Sequence, residues 1–325
     1  MFSIIYVDFY SIEKTLSACK NLIEKTSKEE LKKLHFLIVD NSNEGNCEHY
    51  IRSHFEIKEE KIFFEKKCIV FTYLDLAVTA IITEENLGYA RGNNIGIKYA
   101  EYYYQDLFTV VSNNDVITND YLEWGGVERF FQNHEKALSW GPQILDKKSG
   151  KEINPKKRLS FFEQMFIYYW RLISRGYIAK NFSTVEKKDK PGKCYTLTGS
   201  FVIFNNNLLK KIGLYDPHTF LFYEENIIGE KTYQSGYYNW YSTAWRFIHE
   251  HGYTIKKNNI NVKSEIESFK SGCYYYKKYR NISRLLISFA MINFLCTYMP
   301  YLFLKLAYVK IREHIKMLKN VKDFF

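Results

Sequence analysis

The chain has 325 residues, of which 46% are hydrophobic, and is long enough to bury one large core with an appendage. Its formal charge of +10 favours anionic partners such as phosphates, nucleotides or an acidic membrane surface. The six cysteines lack CxxC and CxxH spacing, which argues against a zinc site or disulfide framework and fits a reducing cytosol. The N-terminus lacks a basic region and a cleavage site, so it predicts a first strand rather than a signal peptide.

Short apolar segments alternate with amphipathic segments over the first 115 residues. Apolar side chains at helical spacing predict helices at 11–25 and 94–104. Because strands that alternate with helices form parallel sheets, we expect an α/β domain that binds ligands at the carboxyl ends of its strands. Residues 50–70 predict no single element. The predicted strands are residues 3–7, 34–39, 78–83 and 107–112.

Further elements are predicted after residue 115. A lysine-rich insertion at 147–193 contains an aromatic stretch that predicts an amphipathic helix at 161–170. A turn is predicted at Gly141–Pro142, between a strand and this insertion. The remaining predicted elements are helices at 121–132 and 207–212 and strands at 137–140, 195–204 and 245–248.

Two adjacent carboxylates, Glu224 and Glu225, follow an aromatic run and begin a predicted helix that Gly236 ends. Aromatic neighbours desolvate a carboxyl group and raise its pKa, which suits a general base near neutral pH. Because consecutive helical residues point about 100° apart, the two carboxylates cannot both face one atom. One of them is a candidate base, and the other caps the helix or braces the backbone.

Polar side chains also follow the predicted strands. Asp40–Asn41 follows the second strand, and Asn113–Asp115 follows the strand at 107–112. Both segments suit either ligand contacts or simple Asx turns. The segment Asn86–Gly96 is either a structural strand-to-helix turn or an anion site at a helix N-terminus. The donors at that N-terminus are Arg91 and Asn94.

Residues 256–325 predict a basic, aromatic helical extension. Residues 285–304 contain no charged side chain over 20 positions, which is just long enough to span a bilayer. Basic residues flank both ends of this stretch. An interfacial helix pair bent at Pro300 fits the same pattern, as does a helical cap on the globular domain. We expect this extension to contact an anionic membrane surface.

Six segments occur in the order seen in family 2 glycosyltransferases, and the chain resembles this family over about residues 1–255. The resemblance is to the bacterial rhamnosyl- and galactofuranosyl-type enzymes that build capsule, O-antigen or cell-wall glycans. It implies a GT-A fold with a nucleotide-binding half (1–115) and an acceptor or catalytic half (116–255), in which the insertion is an acceptor-side flap. The six segments are Leu37–Ser42, Asn86–Gly96, Ser112–Asp115, Thr198–Phe201, Phe222–Glu225 and His249–Gly252.

The resemblance also implies a UDP- or dTDP-sugar donor, a divalent cation (Mg²⁺ or Mn²⁺) and inversion at the anomeric carbon. Asp115 matches the family's metal-binding carboxylate and His249 its late histidine near the metal. Asparagines replace the further acids of many members and leave Asp115 as the single carboxylate for the metal. Glu225 matches the base, and Glu224 the acid before it. The nucleotide contacts would come from Asp40, Asn41, Asn86, Arg91, Asn94 and Asn114.

The sequence therefore predicts an inverting glycosyltransferase at the cytoplasmic face of the cell membrane. Its partners would be a nucleotide sugar and a glycan or glycolipid acceptor, with no nucleic acid; an oligomer is compatible with the sequence. A nucleotidyltransferase is one alternative, but Val7–Ser11 lacks the glycine- and lysine-rich loop that it would need. A non-catalytic carbohydrate or nucleotide binder that uses the basic aromatic tail is the other.

Overall fold

The computed structural model describes residues 1–42, 45–165, 184–250, 262–308 and 311. These residues fall in two compact units. The first comprises Met1–Arg158 and Val185–Gly252 and contains every strand in the described chain. The second comprises Leu159–Thr184 and Tyr253–Phe325 and is helical in its described part. The assignment of residues 1–115 and 116–255 to two functional halves stays a prediction.

One mixed sheet organises the first unit. Its strands are β1 (Phe2–Asp8), β2 (Leu34–Asp40), β3 (Ile57–Phe63), β4 (Lys66–Tyr73), β5 (Leu76–Ile82), β6 (Phe108–Ser112), β7 (Val116–Thr118), β8 (Ala137–Asp146), β9 (Gly192–Cys194), β10 (Phe201–Asn205) and β11 (Tyr238–His249). In the described residues they lie in the order β3-β4-β5-β2-β1-β6-β10-β8-β11-β7, and β9 pairs with β11.

Helices connect these strands and form the described part of the second unit. In the first unit they are α1 (Ile12–Glu24), α2 (Lys28–Leu31), α3 (Asn46–His54), α4 (Gly88–Tyr103), α5 (Trp124–Asn133), α7 (Asn206–Lys211) and α8 (Glu224–Gln234). In the second unit they are α6 (Phe161–Met165), α9 (Val262–Tyr279) and α10 (Arg284–Tyr308). Residues 166–170 of the predicted helix at 161–170 lie outside the described residues.

The centre of the sheet is parallel, which confirms the prediction for the first 115 residues. β1 runs parallel to both β2 and β6, and β5 runs parallel to β2. Ile4 belongs to an apolar cluster with α1, whereas Ile5 belongs to a second cluster with α4. Both faces of β1 are therefore buried, and this explains its almost continuous apolar sequence. The ambiguous residues 50–70 include the end of α3 and an antiparallel β3–β4 pair at the sheet edge.

Two predicted boundaries in the second half of the sheet are wrong. β8 continues through Gly141–Pro142 to Asp146, where a turn was expected. Pro142 fits inside the strand because the pairing with β11 is irregular there, jumping from Tyr241 to Arg246. β10 begins at Phe201, so Gly199 lies in the turn before the strand and not within it.

The helix predicted from Asn94 begins six residues earlier, at Gly88. The Asn86 side chain accepts a hydrogen bond from the Gly88 N–H (3.0 Å) and so forms the turn that starts α4. Gly88 has a φ of +78°, and a Cβ atom there would lie 2.4 Å from the Phe220 carbonyl oxygen. Glycine is needed at this position because it tolerates both the positive φ and the close contact.

The C-terminal apolar stretch is one continuous helix, α10, which contradicts the alternative of a helix pair bent at Pro300. A π-helical turn at Phe294–Tyr298 ends two residues before the proline. Such a turn widens the helix where a proline has no N–H to donate and crowds the preceding carbonyl group. Among the described residues, α10 is the one helix long and apolar enough to cross a membrane.

Candidate active site

The carboxyl end of β2 carries two buried acceptor atoms without a hydrogen-bond partner among the described residues, one on Asp40 and one on Asn41. Oδ1 of Asp40 accepts hydrogen bonds from the Ser42 N–H (2.9 Å) and hydroxyl group. Asp40 Oδ2 is buried without a hydrogen-bond partner among the described residues, and so is Asn41 Oδ1. Burial raises the pKa of Asp40, although the hydrogen bonds from Ser42 oppose that rise. Because an unsatisfied buried acceptor costs about 1–3 kcal/mol, these two atoms favour a ligand that presents hydrogen-bond donors.

Asp8 is a buried carboxylate at the end of β1 that the sequence analysis missed. It lies in register beside Asp40. It accepts hydrogen bonds from the Ser11 N–H (3.1 Å), the Ser11 hydroxyl (2.9 Å) and the Thr15 hydroxyl. The Asn114 amide donates to the same two hydroxyls, at 2.9 and 2.8 Å. Asp8 therefore holds the start of α1 against the loop after β6. Its signal in the sequence was an acidic residue at the end of a buried strand.

Arg91 and Asn94, on the first turns of α4, contact the loop that precedes α8. The Arg91 Nε donates to the Pro217 carbonyl oxygen (3.0 Å). The Asn94 amide donates to the Tyr215 carbonyl oxygen (2.9 Å) and accepts from the Tyr215 N–H (3.1 Å). These contacts position the loop that leads to Glu224. The nucleotide contacts predicted for Asn86, Arg91, Asn94 and Asn114 stay predictions.

Asp115 and His249 come together from distant parts of the chain. The Asp115 carboxylate lies 3.0 Å from His249 Nε2, and both side chains are largely buried. The Glu250 N–H donates to the Asp115 carbonyl oxygen (2.8 Å), which joins the end of β11 to the loop after β6. A carboxylate oxygen and an imidazole nitrogen are both suitable donors for Mn²⁺ or Mg²⁺. Residues 251–252 of the predicted histidine motif lie outside the described residues.

The described residues contain no group of three or more His, Cys, Asp or Glu side chains suited to a metal ion. A cation that keeps waters and substrate phosphates in its shell needs only one or two protein ligands. Asp115 and His249 fit that kind of site, because they are a carboxylate and an imidazole already held in contact.

Glu224 and Glu225 begin α8, directly after two residues with positive φ, Phe222 and Tyr223. Glu224 is 4% exposed, and its Oε1 has no hydrogen-bond partner among the described residues. Burial, with the nearby charge of Glu225, raises the pKa of Glu224 to about 8. Burial acts on Glu225 in the same direction, but the ion pair with Lys156 outweighs it and lowers the pKa of Glu225. The two adjacent glutamates are therefore in opposite protonation states near neutral pH.

Glu224→Gln is expected to stabilise the protein at pH 8 by up to about 4 kcal/mol, since one pKa unit corresponds to about 1.4 kcal/mol. Folded Glu224 keeps its proton up to about pH 8, whereas its unperturbed value is 4.5. Folding therefore costs progressively more as the pH rises between these values, and glutamine removes that cost. Urea unfolding at pH 4.5 and pH 8 measures the gain, which should be largest at pH 8.

Glu225→Gln is the matched control for that comparison. The lowered pKa of Glu225 contributes stability above its unperturbed value, so its loss should destabilise the protein at pH 8 and change little in acid. If the stability of Glu224→Gln relative to the wild type is the same at pH 4.5 and at pH 8, Glu224 is ionised in the folded wild type.

Tyr89 connects the two parts of the site. Its hydroxyl donates to the Gly199 carbonyl oxygen (2.7 Å), and its side chain is largely buried. After burial, the negative charges of Glu224, Glu225 and Asp115 are the main factors that raise the pKa of Tyr89. The Asn113 N–H donates to the carbonyl oxygen of Ser200 (2.9 Å), so the loop that carries Asp115 meets the same turn as Tyr89. Asn41 is joined to the same region, since its amide donates to Gly88, the neighbour of Tyr89.

Comparison with solved structures identifies the fold. GalNAc-T7, crystallised with UDP, GalNAc and Mn²⁺, superposes with a TM-score of 0.54 at 13% identity over 86% of this chain and 49% of that one. The mannosyltransferase PcManGT from Pyrobaculum calidifontis, in complex with GDP-Man and Mn²⁺, has a TM-score of 0.51 at 13% identity over 94% of this chain and 73% of that one. The fold is GT-A. No protein-family model and no curated protein matches this GT-A chain in sequence.

The chain spans about half the length of GalNAc-T7. At 13% identity both similarities establish the GT-A fold and not the reaction. The mixed α/β sheet and the C-terminal helices agree with the predicted fold class, which is confirmed.

Proposed function

We propose that this chain is an inverting glycosyltransferase that moves a sugar from a nucleoside-diphosphate sugar to an acceptor hydroxyl group. The observation that carries the proposal is that, in a GT-A fold, the segment Thr196–Ser200 contacts both carboxylate-bearing segments. The Ser200 carbonyl oxygen accepts from the Asn113 N–H (2.9 Å), two residues before Asp115, and the Thr196 hydroxyl donates to the Glu225 carbonyl oxygen (2.6 Å). One carboxylate can hold a cation against a diphosphate, and another can remove the proton of an attacking hydroxyl. Sugar transfer from a nucleotide requires both tasks.

The nucleoside part of the donor is assigned to the end of β2. Asp40 Oδ2 and Asn41 Oδ1 are buried acceptors, and a nucleobase N–H and ribose hydroxyls are donors that would satisfy them. Further nucleotide contacts are proposed for Asn86, Arg91, Asn94 and Asn114, whose side chains also hold the loops on either side of this point. The proposed donor is a UDP- or dTDP-sugar.

A divalent cation, Mg²⁺ or Mn²⁺, is assigned to Asp115 and His249. The solved structures of GalNAc-T7 and PcManGT contain Mn²⁺ with UDP and with GDP-Man, which supports a cation that acts together with a nucleotide. When bound, such an ion neutralises charge on the leaving diphosphate. The Asp115–His249 contact aligns the two side chains.

Glu225 is assigned as the base, because it is the ionised member of the pair. The acceptor oxygen forms a bond to the anomeric carbon as the bond from that carbon to the phosphate oxygen breaks. The hydroxyl proton passes to the Glu225 carboxylate, and the nucleoside diphosphate leaves. A single displacement of this kind inverts the anomeric configuration. Glu224, buried and protonated near neutral pH, supports the start of α8.

Thermal unfolding with nucleotide diphosphates, in the presence and absence of Mn²⁺, tests the donor assignment. A ligand that binds only the folded protein stabilises it by about 2.7 kcal/mol at a hundred times its Kd. We expect UDP or dTDP with Mn²⁺ to raise the melting temperature, and Asp40→Ala to abolish the shift. GDP serves as the comparison ligand. Unchanged melting temperatures with all three nucleotides would contradict the proposed donor class.

The acceptor is proposed to be a lipid-linked glycan at the cytoplasmic face of the membrane. The support comes from α10, whose apolar side chains are largely exposed, for example Leu285 (80%) and Leu304 (72%). Exposed apolar surface of this extent on a helix long enough to cross a bilayer favours a lipid environment. The basic side chains Arg284 and Lys305 at the ends of the apolar stretch suit anionic headgroups.

Flotation with lipid vesicles tests this assignment. We expect the chain to float with vesicles that contain phosphatidylglycerol, and a Leu285→Glu, Leu304→Glu double variant to remain in the soluble fraction. Replacing two exposed apolar side chains of the first unit, Ile62 and Phe64, with glutamate is the matched control and should leave flotation unchanged. Equal flotation of the wild type and the α10 variant would contradict membrane contact through α10.

A further inference from the structure

An extended segment, Asn154–Arg158, lies along α8 and presents two cations to it. The Lys156 ammonium group pairs with the Glu225 carboxylate. The Arg158 guanidinium makes two hydrogen bonds to Glu230, from Nε (3.0 Å) and from an Nη (2.6 Å). Since residues two apart in an extended chain point to the same side, one face of this segment supplies both cations.

The backbone around Lys156 is fixed on both sides. The Lys156 backbone forms isolated antiparallel β-bridges with Val185 and with Thr196. The Lys156 N–H donates to the Thr196 carbonyl oxygen (2.9 Å). The Thr196 hydroxyl in turn donates to the carbonyl oxygen of Glu225 (2.6 Å). Thr196 therefore connects the backbone of the cation to the backbone of its carboxylate partner.

The same segment is anchored at its start by a buried amide. The Asn154 side chain is fully buried, donates to the Pro142 carbonyl oxygen (2.8 Å) and accepts from the Thr198 N–H (3.0 Å). The Lys156 side chain is 27% exposed and that of Glu225 20%, so the ion pair is partly shielded from water. The backbone contacts fix the point from which the Lys156 side chain starts, and its pairing with Glu225 holds the ammonium group.

We propose that Lys156 is a positioning residue for the transfer reaction: its ammonium group keeps the Glu225 carboxylate ionised and directed, and so decides which of the two adjacent glutamates acts as the base. This inference rests on the function proposed above. It assigns a role in the reaction to a segment of the lysine-rich insertion (147–193), 69 positions from Glu225 in the chain.

Apart from Lys156, a backbone hydrogen bond at Glu225 favours its ionised form, whereas the neighbouring side chains described next do not. Glu224 carries a carboxyl group next to it on α8, and the two carboxyl groups repel one another when both are charged. Tyr89 of α4 is partly buried and Tyr215 of the preceding loop is buried; burial, and after it the charges of both glutamates, raises their pKa values. Burial alone would raise the pKa of Glu225; the charge and hydrogen bond of Lys156 oppose that rise most strongly, a backbone hydrogen bond adds to them, and together they lower the pKa. Without Lys156, the two carboxyl groups would compete for one proton.

The test compares Lys156→Gln, Lys156→Arg and a control in which the second ion pair is removed, Arg158→Gln with Glu230→Gln. The control loosens the same segment from the same helix but leaves Glu225 and its partner unchanged. Removing both members of that pair avoids a buried charge without a partner, because Glu230 is 2% exposed. Far-ultraviolet circular dichroism confirms that each variant is folded.

The first measurement is the pKa of the Glu225 carboxyl by ¹³C NMR without any substrate, with its signal assigned by its absence in Glu225→Gln. An opposite charge in contact lowers a carboxyl pKa by about 1–3 units, so we expect a rise of that size in Lys156→Gln. Lys156→Arg should restore the wild-type value, and the control should keep it. An unchanged Glu225 pKa in Lys156→Gln would overturn the proposal.

The second measurement is the pH profile of kcat/KM. We expect the acidic limb to move to higher pH in Lys156→Gln by the same number of units, with the KM for the donor unchanged. An increase in KM without movement of the limb would show that Lys156 binds substrate directly and would overturn the positioning role. If the wild type transfers no sugar, the proposed function fails, whereas the NMR titration still decides whether Lys156 keeps Glu225 ionised.

Discussion

Glu225→Gln is expected to lower kcat for sugar transfer by about 10²–10⁴, the contribution of a positioned general base. Glutamine has the shape of glutamate but cannot accept the proton of the attacking hydroxyl group. The donor contacts assigned to Asp40 and Asn41 lie on a different element, so the affinity for nucleotide diphosphate should not change. Initial rates with saturating donor give kcat, and titration with UDP gives the affinity.

Glu230→Gln is the matched control for this variant. It is the same substitution on the same helix, in a carboxylate that also pairs with a cation of the Asn154–Arg158 segment. Because Glu230 is buried and paired with Arg158, its replacement should lower stability but not the turnover of the folded enzyme. Near-normal kcat in Glu225→Gln would remove Glu225 as the base, and a specific loss in Glu224→Gln would then assign that role to its neighbour.

The sequence predicted that only one glutamate could face the reacting atom, but it could not show which local environment each would have. The helical rotation between consecutive residues is a local property, so it can be read from spacing. The different pKa values depend on Lys156, which reaches Glu225 from 69 positions away. No spacing or repeat in the sequence indicates a contact between residues so far apart.

In the fold, too, local features could be predicted from the sequence and features that depend on distant contacts could not. The parallel centre of the sheet was predictable because strands buried on both faces are apolar without interruption, as in β1. The course of β8 was not, since Pro142 predicts a turn unless the neighbouring strand is irregular at that point. The start of α4 at Gly88 likewise depends on the Phe220 carbonyl group, which lies more than 130 positions further along the chain.

For the polar residues of the site as well, local position could be predicted from the sequence, whereas contacts with distant residues could not. Asp40 and Asp115 were recognisable because they come directly after buried strands. The sequence did not predict that the amides of Asn94 and Asn114 bind Tyr215 and the α1 hydroxyls, respectively, because those partners lie in distant parts of the chain; the nucleotide contacts of both residues stay predictions. Asp8, which organises the α1 end of this network, had the same position as Asp40 at a strand end. Position at a strand end could therefore be read from the sequence, whereas the partners of these side chains could not.

Asp115→Asn is expected to remove the Mn²⁺ dependence of donor binding and to lower kcat/KM by about 10²–10³, the range found when one electrostatic contact to a developing charge is lost. Asparagine keeps the shape of the side chain and an oxygen that can accept from His249, so the variant loses mainly the charge. The fold should tolerate the change, because the bond that joins this loop to β11 uses the Asp115 backbone carbonyl.

Two comparisons make the Asp115 result specific. His249→Gln removes an imidazole ligand of the proposed metal but not the carboxylate charge of Asp115. It should therefore weaken Mn²⁺ binding less than Asp115→Asn does. Asp120→Asn replaces an acidic residue that accepts a hydrogen bond from the Arg246 N–H (2.6 Å), outside the proposed metal pair, and should leave the Mn²⁺ dependence intact. The affinity of each variant for UDP, measured once in the presence of Mn²⁺ and once in the presence of a chelator, separates these cases. Equal UDP affinity in wild type and Asp115→Asn under both conditions would mean that the diphosphate is neutralised by protein cations instead.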